Sequence, residues 1–297
     1  MTTAPGEAAD PGQLPEYTRA RQRRARSREN FPIAAWLLRP SRREARAAIY
    51  GFCRLVDDIG DERMGDARAQ LRRCQEELQA CYGGQPQHPV FQRLQPVVRR
   101  HALAPEPFRR LILANLQDQE LPRYRDWEEL LSYCTLSANP VGELVLALEG
   151  IRDPERVRLS DSICSGLQLA NMWQDLASDR ARGRRYLPLQ VLRQHGATEA
   201  EWEGGAVTAG MRAALAEAVG RARQLLRAGW PLVEQVPGLM RVEMASFILA
   251  GLAASDSVLR AGDLVFSEQA RLSSGARRRA VLGAAAAWRR AVPPADR

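Results

Sequence analysis

Residues 50–62 read YGFCRLVDDIGDE. The apolar residues Phe52, Leu55, Val56 and Ile59 alternate with Arg54 and run into four carboxylates, Asp57, Asp58, Asp61 and Glu62. Apolar positions at three- and four-residue spacing, from Ala47 and Ala48 to Ile59, predict an amphipathic helix. On that helix Asp57 and Asp61 are i,i+4 neighbours, as are Asp58 and Glu62. Each like-charged pair at this spacing costs roughly 0.2–0.5 kcal/mol. A helix with a purely structural role would gain by alternating the signs. The crowding is odder still because the whole chain of 297 residues is basic, with a formal net charge of +8.

The helical period continues outward from this stretch. It recurs at Leu71, Leu78 and Cys81, at Phe108, Leu111, Ile112 and Leu116, and at Leu159, Ile163, Leu167 and Ala170. Breakers separate these segments: YGGQP at 82–86, LAPEP at 103–107, RDP at 152–154 and RGRRYLP at 182–188. No alternating β-branched run of convincing length occurs, no internal repeat is visible and no linker is long enough to divide the chain. The pattern predicts one all-α domain over 19–285, preceded by a Pro/Gly-rich disordered tail at 1–18 and followed by a C-terminal tail at 286–297. The stretch RARQRRARSR at 19–28 reads first as a solvated basic face and second as a phosphate or membrane-surface contact.

Composition narrows the function. Hydrophobic residues make up 45% of the chain, which is a globular value. The five cysteines are scattered without a CxxC pair, so neither a disulfide framework nor a zinc site is expected, and a reducing cytoplasm is. Three histidines in no cluster argue against a His-based metal site or triad. The start lacks a signal-peptide pattern, and no run of 18 apolar residues suggests a membrane span. The segment MASFILAGLAAS at 244–255 reads as a buried helix. No G-x-G-x-x-G occurs, so no nicotinamide cofactor is expected.

A second acidic stretch, QLANMWQDLASDRARGRRYLP at 168–188, changes the reading of the first. Asn171, Asp175 and Asp179 follow one another at four-residue spacing and form a polar stripe among Leu167, Leu169, Met172, Trp173 and Leu176. Two DxxxD stripes without Cys or His are an oxygen-only donor set, which suits a hard cation, Mg²⁺ above all. Mg²⁺ takes one or two carboxylates and completes its shell with water and phosphate oxygens, so two facing stripes would hold several ions around a diphosphate. Arg54 and the run Arg180, Arg182, Arg184 and Arg185 supply charge for phosphate oxygens. Acids that hold metal for a polyanion, and arginines that complete its site, reconcile the acidic clusters with the basic chain. Asp58 joins Asp57 and Asp61 among the metal candidates.

These two stretches, together with YCTLSANPVGELVL at 133–146, resemble the squalene/phytoene synthase family of head-to-head isoprenoid synthases, from about Asn30 to about Gly262. The resemblance implies an isoprenoid synthase fold with both motifs facing a central cavity, and Mg²⁺-dependent ionisation of a prenyl diphosphate. By motif position it makes Asp57, Asp61, Asp175 and Asp179 catalytic metal ligands with Asn171. It makes Arg54, Arg184 and Tyr186 diphosphate partners, and it puts Tyr50 and Gln168 on the cavity wall. Phe31, Trp36 and Phe52 would border that cavity or belong to the core. ENFPIAAWLL at 29–38, YCTLSANPVG and NMWQD resemble the branch that converts presqualene diphosphate to hydroxysqualene for hopanoid synthesis.

Two departures from condensing members support that branch: Thr135 and Leu136 stand where a tyrosine is usual, and Gln174 stands where an arginine is usual. Pro140 is expected to break its helix and, with Ser137 and Asn139, to place a water. The alternatives are head-to-head condensation of two prenyl diphosphates, or a non-catalytic basic helical protein. Carboxylate stripes repel a phosphate backbone, so no nucleic-acid partner is expected. The apolar product allows peripheral contact with the inner membrane face. Nothing in the pattern sets an oligomeric state.

Overall fold

The computed structural model describes residues 14–15, 40–62, 66–120 and 123–267. Phe31, Trp36, the basic stretch 19–28 and the expected domain limits at 18/19 and 285/286 lie outside the described residues. Within them the chain is helical, and the β pairing is a single bridge between Arg123 and Arg185.

The breakers fall where helices end. The acidic stretch closes α1 (Pro40–Glu62), and Asp66 caps α2 (Ala67–Gly83) by accepting from the Ala69 amide at 3.0 Å. α3 (Pro89–His101) stops at Ala102, which takes a left-handed φ of 47°, and α4 (Glu106–Asp118) follows. Asp126 caps α5 (Trp127–Ser137), and α6 (Asn139–Leu148) begins after one residue, Ala138. Asp153 caps α7 (Pro154–Gln174) with Pro154 in the first turn, where its missing N–H costs nothing. The short helices α8 (Leu176–Ala181), α9 (Leu189–Gln194) and α10 (Glu199–Gly204) lead to α11 (Ala209–Ala228), α12 (Pro231–Gln235) and α13 (Leu239–Ala261).

Three apolar groups share these helices. Phe52 of α1 is fully buried and meets Phe91 and Phe108 edge-on, with centroids 5.7 and 5.1 Å away. It is therefore core and not cavity wall. Trp173, Leu187 and Met211 centre a second group around α5, α7 and α11, and Trp173 donates to the Ala218 carbonyl at 3.0 Å. Leu146, Ile163, Trp230 and Ile248 centre a third, between α6, α7, α12 and α13. α7 belongs to two of these groups and forms the axis on which the rest of the bundle packs.

α13 and the 3₁₀ turn after it are long and apolar enough to cross a membrane by length and composition. Met244, Ala245, Ile248, Ala254 and Val258 are nonetheless buried against other helices, as the reading of 244–255 expected. Gly142 permits a close approach of α6 to α7: a Cβ there would lie 2.3 Å from Ser160 Oγ and 2.7 Å from Cys164 Sγ.

Candidate active site

α1 offers Arg54, Asp57 and Asp61 along one face, at three- and four-residue spacing. α7 offers Gln168 and Asn171, and α8 offers Ser178 and Asp179. Both sets line one cavity of about 240 Å³. Asp175 lies between them at a break: α7 ends at Gln174, and Asp175 has φ −98° and ψ 10°, in the sparsely allowed bridge region. The second stripe is therefore not one continuous helix, as its spacing suggested. The pattern survives because the Asp175 amide still donates to the Asn171 carbonyl at 3.0 Å and the Asp179 amide to the Asp175 carbonyl at 2.9 Å.

The segment after α8 returns across the cavity. The Arg184 amide donates to the Asp179 carbonyl at 2.9 Å, which turns the buried guanidinium toward α1. There Arg184 Nη1 donates to Asp61 Oδ1 at 2.8 Å, while Arg182 Nη1 stands 3.5 Å from the same oxygen. Arg180 and Arg185 point elsewhere: Arg180 donates to the Glu203 carbonyl at 2.8 Å, and Arg185 donates to Glu199 at 2.5 Å. Of the four arginines in the run, Arg182 and Arg184 serve the cavity.

Two predicted residues lie off this wall. Asp58 is buried and pairs with Arg54 one turn earlier, so it steadies that arginine rather than facing the cavity. Tyr50 lines a neighbouring apolar cavity of about 260 Å³ together with Cys53, Val141, Cys164, Leu167 and Phe247. Tyr186 does line the polar cavity, and its hydroxyl donates to Asp118 Oδ1 at 3.4 Å.

Sequence reasoning missed five cavity residues. α4 brings Asn115, which donates to Asp57 Oδ1 at 3.4 Å, and Asp118, which accepts from Tyr133 at 2.7 Å. Tyr133 itself, Met172 and Ser178 also line it. The signal for the first two was present: Asn115, Asp118 and Gln119 fall at i, i+3 and i+4 where α4 ends. Gly60 makes that approach possible, since a Cβ there would lie 2.1 Å from Asn115 Oδ1.

Of the water-placing candidates, Ser137 lines the polar cavity and its Oγ is buried without a hydrogen-bond partner. Asn139 is turned away and accepts from Ser165 Oγ at 2.9 Å. Pro140 lies in the first turn of α6, after the break at Ala138 that it was expected to cause. The departures at Thr135, Leu136 and Gln174 all stand off the polar cavity. Gln174 is buried and donates to Ser257 at 3.0 Å.

The wall carries five carboxylates (Asp57, Asp61, Asp118, Asp175, Asp179) against three arginines (Arg54, Arg182, Arg184). Asp57 is accessible to water inside the cavity but enclosed by protein. Its removal from bulk water, opposed by Arg54 and reinforced by Asp61, pushes its carboxyl up to about 7. Burial and the neighbouring Asp175 push Asp179 up to about 7 as well, against the pull of Arg184 and Arg182. Burial raises Asp118 to about 6, against its tyrosine hydrogen bond and Arg184. Among the described residues no three His, Cys, Asp or Glu side chains converge into a closed metal cage. Oxygen donors spread along two opposed stripes, with surplus negative charge, fit Mg²⁺ that keeps water and phosphate in its shell. A roomier groove of about 590 Å³ between α1 and α3 contains Glu44 as its one carboxylate and offers no such donor set.

A family model described as squalene/phytoene synthase matches residues 24–278. The chain belongs to the squalene/phytoene synthase family. This is a family of enzymes with an all-α isoprenoid synthase fold, and the two carboxylate stripes lie within the matched residues. The solved squalene synthase HpnC from Alicyclobacillus acidocaldarius is 39% identical to this chain, with a TM-score of 0.75 over 81% of this chain and 92% of that one. A hydroxysqualene synthase from Rhodopseudomonas palustris is 35% identical over 57% of this chain, a match that spans 58% of that protein's length. A phytoene synthase from Arthrospira platensis is 30% identical over 70% of this chain and 72% of that protein.

Proposed function

We propose that this squalene/phytoene synthase family member converts presqualene diphosphate and water to hydroxysqualene and diphosphate. The observation that carries the proposal is the meeting of two DxxxD stripes and three phosphate-ready arginines in one polar cavity, beside an apolar one built on the same helices. Asp57, Asp61, Asn171, Asp175 and Asp179 would hold Mg²⁺. Bound there, the metal supplies Lewis-acid neutralisation of the leaving diphosphate. Arg54, Arg182 and Arg184 grip phosphate oxygens with charge-assisted hydrogen bonds. Asp58 and Asp61 keep Arg54 and Arg184 aimed, and the fixed dipoles cost no reorganisation when the C–O bond breaks.

The hydrocarbon arms occupy the apolar cavity, whose walls keep bulk water from the carbocation. Tyr50 lies there, one turn from Arg54, where its ring face can stabilise positive charge. Ser137 Oγ, buried and without a partner at the wall of the polar cavity, is the group placed to hold the one water that ends the rearrangement. That water's oxygen becomes the hydroxyl, and its proton leaves to solvent.

The test uses the purified protein with Mg²⁺, presqualene diphosphate and ¹⁸O-labelled water, without nicotinamide cofactor. Hydroxysqualene carrying the solvent label is expected. The departures at Thr135, Leu136 and Gln174 stand off the cavity, and this favours keeping one second reading: condensation of two prenyl diphosphates. Efficient presqualene or phytoene formation from a linear diphosphate would replace the first reading with the second. Squalene formed only on addition of reduced nicotinamide would replace both.

A further inference from the structure

The apolar cavity has one wall that its chemistry does not explain. Arg46 of α1 and Glu243 of α13 line it beside Ile49, Leu146 and Ile163. Both are buried, at 8% side-chain exposure, and form an ion pair through Arg46 Nη1 and Glu243 Oε1. A second carboxylate stands behind them. Glu149, at 4% exposure, lies 3.6 Å from Arg46 Nη2 and is anchored by Arg42 at 2.6 Å. Burying an ion pair against hydrocarbon is a poor way to gain stability, since desolvation offsets most of the attraction.

The position of this cluster suggests what it does. Along α1 the residues that line the two cavities succeed one another: Arg46, Ile49, Tyr50 and Cys53 on the apolar side, then Arg54, Asp57 and Asp61 on the polar side. α7 repeats the order, from Ser160 and Cys164 to Gln168 and Asn171. At about 1.5 Å per residue, Arg46 lies about 16 Å along α1 from Asp57, and Ser160 lies about 16 Å along α7 from Asn171. Two helices thus give the same depth. Bond lengths that put three backbone bonds at about 3.8 Å make a four-carbon isoprene step about 5 Å, so three units reach about 15 Å and four about 20 Å.

We propose that the buried Arg46–Glu243 pair, backed by Glu149 and Arg42, is the floor of the prenyl cavity and limits its occupant to three isoprene units. A hydrocarbon end that reaches the pair would have to strip a charge of its partner, and an unpaired buried charge is strongly disfavoured. Arms of three units stop short of it. The proposal rests on the reading of this site as one for prenyl diphosphates, and it names the selectivity of that site.

The experiment is calorimetric titration of the full chain, with Mg²⁺, by the farnesyl and geranylgeranyl thiolodiphosphates, whose bridging sulfur prevents turnover. The wild type is expected to bind the shorter analogue at least about tenfold more tightly, the scale of one misfitted isoprene unit. Arg46→Ala/Glu243→Ala removes both charges and leaves Glu149 paired with Arg42; it should bring the two affinities within about threefold of one another. Glu243→Ala alone should shift the ratio in the same direction, because Arg46 keeps Glu149, and it decides the matter if thermal melts show that the double variant does not fold. A pair with only a structural role would change melting temperature and leave the ratio alone. Equal affinities in the wild type, or an unchanged ratio in a folded variant, would overturn the floor. Failure of the wild type to bind either analogue would instead overturn the prenyl diphosphate reading itself, and the floor with it.

Discussion

Arg184 Nη1 donates to Asp61 Oδ1 at 2.8 Å, joining the segment after α8 to the end of α1 across the polar cavity. Burial works against the guanidinium charge, but the hydrogen bond to Asp61 and the nearby Tyr186 and Asp118 more than offset it, so the group stays protonated. Arg184→Ala removes the phosphate ligand and leaves Asp61 without its main partner. Steady-state kinetics should show a raised KM for the diphosphate substrate and a lower kcat, with kcat/KM down at least about 10²-fold. Arg180→Ala should keep turnover within about threefold of wild type, because Arg180 faces the Glu203 carbonyl and the Phe266 ring and does not line the polar cavity. Equal losses in the two variants would show that the run acts as diffuse charge and not through Arg184.

The carboxylates should divide by what they face. Asp57→Asn, Asp61→Asn, Asp175→Asn and Asp179→Asn are each expected to lower turnover at least about 10²-fold while the fold is kept, since like-charge repulsion is relieved. Asp58→Asn should act through Arg54 and raise KM more than it lowers kcat. A folded Asp57→Asn or Asp175→Asn variant with wild-type kinetics would rule out the two-stripe site.

Proton linkage gives an independent reading of the same groups. Asp57 and Asp179 titrate near 7 in the folded chain, against about 4 when unfolded. Between those values the folded state binds more protons than the unfolded one, so stability falls as pH rises from about 4 to about 7. Metal binds the ionised carboxylates and releases those protons. Melting temperature without Mg²⁺ should therefore drop across this window, and the rise on adding Mg²⁺ should be larger at pH 8 than at pH 6. Asp57→Asn/Asp179→Asn should flatten both responses. A Mg²⁺ effect that is the same at both pH values, or that persists in this variant, would show that the metal binds elsewhere.

The helices and both stripes were legible because each rests on local chemistry: a 3.6-residue period, Pro and Gly breakers, and carboxylates repeated at four-residue spacing. What the spacing could not give is which way a side chain turns when two faces compete for it. Asp58 sits beside Asp57 in sequence, yet it is turned into the protein against Arg54. Gln174 sits beside Asp175, yet it faces Ser257 of α13. Asn115 and Asp118 show a local polar spacing, but that they and Tyr133 meet at this cavity comes from α4 packing on α1 and α5 packing on α4 and α7, a long-range relation that no single segment carries. The break at Asp175 was hidden because the four-residue hydrogen bonds continue through it.

Gly60 ties this packing to the acidic motif. A methyl there would meet Asn115 Oδ1, so Asn115 must swing aside and give up its hydrogen bond to Asp57. Gly60→Ala should cost about 1–2 kcal/mol, the scale of modest overpacking, with a loss of turnover. Shortening the obstacle with Asn115→Ala in the same chain should restore most of the stability but not the turnover, because the Asp57 contact stays absent. If Asn115→Ala restores no stability, the clash is not the cause.

Gln174 separates what sequence comparison suggests from what the packing permits. An arginine is usual at this position in condensing members, so its absence pointed away from condensation. In this chain the side chain is 1% exposed, bonded to Ser257 and outside the polar cavity. Gln174→Arg would force a charge into the contact between α7 and α13, where burying an unpaired ion costs about 3–5 kcal/mol. A fall in melting temperature is expected, with no product from farnesyl diphosphate. Asp256, the acid nearest in sequence to Ser257, is already paired with Arg223. Stable folding together with new presqualene diphosphate formation would mean that α7 can rotate position 174 into the cavity, and that this one residue decides between condensation and hydroxylation.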